Sequence, residues 1–65
     1  MFTLSEMNLM LMYNMGTRLG NIKKLTKMLK HLPKDESELR LIARAVVNKL
    51  QAMTDREFSL LNLSH

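Results

Sequence analysis

Between Asp35 and Met53 apolar residues recur at spacings of three and four: Leu39, Ile42, Ala43, Val46, Leu50 and Met53. At about 3.6 residues per turn they share one face of a helix. Pro33 ends whatever precedes it, because it lacks an amide donor and clashes with the previous turn. Asp35 is placed to be the N-cap, with Glu38 three residues later, which is the aspartate version of a capping box. Glu36 and Glu38 put negative charge where the helix dipole favours it. Glu36 and Arg40 form an i,i+4 pair of about 0.2–0.5 kcal/mol. The opposite face carries Ser37, Arg40, Arg44, Asn48 and Gln51. Between the two faces lies a weaker stripe of Leu41, Ala45 and Ala52. It reads either as packing on a second side or as a partner surface. Thr54 looks like the next N-cap, so this helix should stop near Met53.

The remaining segments fit around that helix. Thr3 and Glu6 form a T-x-x-E capping box, and Phe2 with Met7 fits the hydrophobic staple that sets the angle at which the chain enters the helix. The run Leu4, Met7, Leu9, Met10, Leu11, Met12, Tyr13, Met15 is apolar nearly all round the wheel, the pattern of a helix covered on several sides. Either the other helices wrap it, or part of it faces a second chain. Gly16 is placed as the left-handed residue that ends this helix. The second helix has an apolar face of Leu19, Ile22, Leu25, Met28, Leu29 and Leu32, and a basic face of Lys23, Lys24, Lys27, Lys30 and His31, with Lys34 just beyond. Gly20 near its start costs about 1 kcal/mol relative to alanine. Thr54 with Glu57 repeats the T-x-x-E box, Met53 with Phe58 repeats the staple, and Leu60 and Leu61 are available to close one side of the core. These readings predict an all-α fold: a small bundle of three main helices, about 4–15, 18–32 and 36–53, plus a short fourth at about 55–61. The whole chain, 1–65, reads as a single helical domain whose residues 62–65 fray.

Size and composition narrow the function classes. The chain has 65 residues and no cysteine, so its core must come from its 46% apolar residues or from a partner, without disulfide or thiolate–metal staples. Seven methionines favour an adaptable core or interface. No apolar run reaches the ~18–20 residues that span a bilayer. No basic segment precedes the first apolar stretch, as a signal peptide would require. A cytoplasmic location is expected.

Catalysis finds little support. His31 lies on the lysine face and His65 is the last residue, so no paired histidines offer metal-ligand spacing. The acids sit mostly at helix starts, where capping explains them, and Gly16 and Gly20 do not make a phosphate cradle. The chain therefore reads as no enzyme, with no cofactor and no metal. Its most chemical feature is the basic set Lys23, Lys24, Lys27, Lys30 and Lys34. Three readings stay open: a solvated helix face, sequence-independent contact with nucleic acid through phosphates, or contact with an acidic protein. No aromatic platform interleaves the lysines for base stacking. A helix-turn-helix reading would use Arg40, Arg44, Asn48 and Gln51 as base or phosphate readers. Its link, however, carries proline in place of the usual glycine turn. A membrane-surface role for the amphipathic second helix lacks boundary aromatics.

Two blocks carry a resemblance. The opening MFTLSEMNLMLMYNMGTR contributes Met1, Phe2, Thr3, Glu6, Met7, Asn8, Leu9 and Met10, then Tyr13, Asn14, Gly16, Thr17 and Arg18. The closing block, Leu50 to Leu61, reads LQAMTDREFSLL. Together they resemble the transposon-transfer assisting protein family, small proteins encoded on conjugative transposons of clostridia and related bacteria. The resemblance implies an accessory role in moving a mobile element, brings no catalytic residues, and makes a protein of the transfer machinery the expected partner. Met10, Met12, Tyr13 and Arg18 are the candidate partner contacts. Of the signature's polar residues, Thr17 is placed to cap the second helix and Asn14 to help end the first. Arg18 is left to pair with Glu6 or another acid, or to contact a ligand. Two alternatives stand beside this role: a small DNA-associated module using the lysine face, and a homodimer whose first helices pair.

Overall fold

The computed structural model describes residues 1–61, all helix and connecting turns. Four helices follow in order: α1, Leu4–Met12; α2, Arg18–His31; α3, Ser37–Ala52; and α4, Asp55–Ser59. The expected fraying of residues 62–65 lies outside the described residues.

The central helix is α3, and both α1 and α2 pack against it. Ala43, Val46 and Leu50 of its apolar stripe are fully buried, and Leu39, Ile42 and Met53 border the same cluster. Leu9 and Met10 of α1, Leu25 of α2, Val47 of α3 and Phe58 of α4 complete the core. Met10, Leu25 and Leu50 have no exposed surface, and burying each contributes about 1.5–3 kcal/mol. Leu41 does not pack: it is 71% exposed. Five residues before Val46, it points about 140° away around the wheel, past the reach of α1 and α2. Ala52 is exposed as well, so the second stripe of α3 is largely a surface.

Helix starts and stops follow local hydrogen bonds. Thr3 Oγ1 accepts from Glu6 N while Glu6 Oε1 accepts from Thr3 N, and Thr54 and Glu57 make the same reciprocal exchange. The start of α3 corrects the sequence expectation. Its N-cap is Glu36, which makes no side-chain capping bond. Pro33 O accepts from Glu36 N at 3.1 Å and closes a turn over Lys34 and Asp35. Asp35 is thus held inside the turn, one residue short of the cap position. Nor do Glu36 and Arg40 pair. Arg40 instead donates through Nη2 to the carbonyls of Leu32 and Pro33, both at 3.3 Å, and ties that turn to α3.

The end of α1 is also earlier than the periodicity suggests. Tyr13 is the C-cap. Beyond it, Asn14 Oδ1 accepts from Gly16 N at 2.9 Å and Asn21 Oδ1 accepts from Met15 N at 2.6 Å. These side chains take amides that would otherwise continue the helix. Gly16 has φ +88°, but it lies in the link and not directly after the C-cap. Thr17 caps α2 by accepting from Gly20 N at 3.0 Å. A β-carbon on Gly20 would sit 2.7 Å from Thr17 Oγ1 and 3.0 Å from Met15 Cβ. A side chain here would press on the Thr17 hydroxyl that caps α2.

Candidate functional site

The outward face of α1 sets this molecule apart from a fully wrapped bundle. Glu6, Leu9 and Met10 turn inward and are buried. Leu4, Leu11 and Met12 turn outward, with exposures of 77%, 45% and 76%. Met15 and Leu19, just past the end of α1, are 57% and 55% exposed. Among the described residues, five of the eight large exposed hydrophobic side chains therefore fall between positions 4 and 19, which concentrates them at one segment of the chain. Leu19 was expected on the apolar face of α2. It lies about 120° around the wheel from Leu25, too far to reach the core.

The structure separates the four expected partner contacts. Met12 is exposed and Tyr13 is half-buried against the core. Met10 is fully buried between α1 and α3, so it is a core residue and not a surface contact. Arg18 serves the fold, since its Nε donates to Asp55 Oδ1 at 2.8 Å and its Nη1 to Leu50 O at 2.9 Å. It thereby joins the start of α2 to the end of α3 and the start of α4, where a cation also complements the α3 dipole. Beside it an open groove of about 610 Å³ runs between the α1–α2 link and α4, bordered by Asn14, Thr17, Leu19, Asp55, Phe58 and Leu61. Leu61 borders the core as expected, whereas Leu60 is 78% exposed.

Glu6 pairs with Lys49 and not with Arg18. Lys49 Nζ donates to Glu6 Oε1 at 2.6 Å and to Met1 O at 2.9 Å, and sits 5.5 Å from the centre of the Phe2 ring. The Lys49 hydrogen bond, with help from Thr3 N, holds the Glu6 carboxyl below its ordinary value against the opposing effect of burial. The pair fixes the first residues of the chain to α3, and so fixes which side of α1 faces outward. A signal for it was present in the sequence: Glu6 falls on the same helical stripe as Leu9, Met10 and Tyr13.

The lysine set lies on another element. Lys23, Lys24, Lys27 and Lys30 on α2, and Lys34 beyond it, are all exposed, as is His31. On α3, Arg44, Asn48 and Gln51 are exposed, while Arg40 is occupied at the turn. No helix among the described residues is long and apolar enough to cross a membrane.

No curated protein and no solved structure matches the chain. Residues 2–64, nearly its whole length, match the family described as "Putative transposon-transfer assisting protein". The match takes in the opening block from Phe2 onward, the whole closing block and all four helices. The chain belongs to the transposon-transfer assisting protein family.

Proposed function

We propose that this chain is a non-enzymatic accessory protein of a conjugative transposon, assisting transfer by holding another protein of the transfer machinery against the outward face of α1. The observation that carries the reading is that Leu4, Leu11, Met12 and Met15, all large and apolar, are exposed along one short segment. Contiguous exposed apolar surface marks interaction sites, and methionine adapts readily to a partner. A non-catalytic role is supported by the engagement of Glu6, Asp55 and Glu57 in ion pairs and caps. Such a protein works where the transfer machinery assembles, in the cytoplasm of the donor.

The test places a photo-crosslinking residue at position 12 in donor cells carrying the element. The expected product joins this chain to a protein encoded by the same element, and it is lost when Leu11→Ser is added. Crosslinks only between copies of this chain would assign the face to a homodimer and contradict the reading. Sedimentation of the purified chain provides the matching check.

A further inference from the structure

The basic face of α2 is unrelieved. From Arg18 to Lys34 there is no acidic residue, and all six acids of the chain lie elsewhere. None of Lys23, Lys24, Lys27, Lys30 and Lys34 makes an ion pair among the described residues, where the pairs present are Arg18–Asp55 and Lys49–Glu6. Lys23 and Lys27 are four apart, and Lys27 is three from both Lys24 and Lys30, so like charges are neighbours along the helix. Each such pair costs about 0.2–0.5 kcal/mol in an isolated helix. A helix kept only for solubility would interleave acids at these spacings. Lys23, Lys27 and Lys30 fall within about 60° of arc and, with Thr26, rim a shallow trough.

We infer that this face is a sequence-independent docking surface for the phosphate backbone of duplex DNA. Charge complementarity calls for a polyanion, and the make-up of the face selects which one. Lysine is depleted at protein–protein interfaces, whose hot spots are aromatic or arginine anchors. The face has neither. Single-stranded nucleic acid is gripped by stacking successive bases on aromatic platforms, and between Arg18 and Lys34 there is no Phe, Tyr or Trp, only the single imidazole of His31. Flexible lysines acting as point charges suit phosphates on a duplex, whose bases are already stacked. Both α1 and α2 pack on α3, and the apolar and basic faces lie on different helices. Resting on the partner-binding reading of α1, the chain would then hold a transfer protein close to DNA.

The test is a fluorescence anisotropy titration of the full chain against a labelled duplex of about 24 base pairs, with two unrelated sequences. Binding is expected at about 50 mM salt, alike for both sequences, and about 150-fold weaker at about 200 mM if four phosphates are neutralised. The triple variant Lys23→Gln, Lys27→Gln, Lys30→Gln, with helicity matching the wild type by circular dichroism, is expected to bind at least about tenfold more weakly and with a shallower salt dependence. The corresponding triple arginine variant retains binding. Arg56→Gln on α4 and Leu11→Ser on α1 leave affinity unchanged, so failure of the α1 reading is separable from failure of this one. Four results would overturn it: no binding at about 50 mM salt, undiminished binding by the triple glutamine variant, tighter binding to a single strand of equal length, or preference for polyglutamate over the duplex.

Discussion

Lys49 and Glu6 join the N-terminus to α3 through groups of unequal exposure: the Lys49 side chain keeps 38% of its surface and the Glu6 side chain 8%. Removing the lysine would leave a carboxylate largely out of water, a more costly outcome than loss of an exposed pair. Glu6→Gln is expected to lower stability at neutral pH by about 2 kcal/mol, the scale of a hydrogen bond to a charged group. Because the folded-state pKa of Glu6 is depressed, its contribution is fully present above the ordinary value of 4.5 and is lost as pH falls through the lower folded value. Thermal unfolding followed by circular dichroism from neutral pH to about pH 3 checks this. The gap between wild type and Glu6→Gln should narrow on acidification, and a constant gap would contradict the assignment. Gly20 gives a second test at this scale. Helix propensity alone predicts that Gly20→Ala stabilises by about 1 kcal/mol. The contacts at 2.7 Å and 3.0 Å predict the reverse, because the Thr17 hydroxyl must move and its cap to α2 is lost. A higher melting temperature in Gly20→Ala would show that the link yields without cost.

Among the elements, α3 carries the core, and its two sides should respond differently to substitution. Leu50→Ala is expected to cost about 2–5 kcal/mol, against a total of roughly 3–10 kcal/mol for a chain of this size. Leu41→Ser, at an exposed position of the same helix, should change stability by less than about 0.5 kcal/mol. Chemical denaturation of both variants measures the contrast, and equal losses would mean that Leu41 packs. The core stripe of α3 was legible because strict periodicity and one-sided burial go together. The start of α3 was not, since the turn closed by Pro33 O and Glu36 N depends on backbone geometry that an Asp-x-x-Glu pattern does not encode. The outward face of α1 was hidden for a related reason. A helix apolar nearly all round has no polar side to mark solvent, so only the position of α3 and the Lys49–Glu6 pair decide that Met10 turns in and Met12 turns out. Arg18 stands out in the sequence because nothing on its own helix accounts for it. Its partners, Leu50 O and Asp55, lie more than thirty residues away in the chain, beyond any local pattern.

At the scale of the whole molecule, four helices contribute to one core while two helix faces stay uncommitted, one apolar on α1 and one basic on α2. The family match runs through all four helices, so the scaffold and both faces fall within it. With no disulfide to staple it, the scaffold depends on its core, while the outward side chains of α1 contribute little to that core. On the proposed reading, those side chains serve transfer and not folding. The most direct measurement is the transfer frequency of the element from donors carrying Leu11→Ser together with Met12→Ser, set beside the melting temperature of the same variant. Two interface anchors of about 1–2 kcal/mol each predict at least about a tenfold weaker contact. The expected result is a fall in transfer of that order with the melting temperature within a few degrees of wild type. Undiminished transfer by a variant present at normal levels, or a collapse of the fold on losing these two side chains, would contradict it.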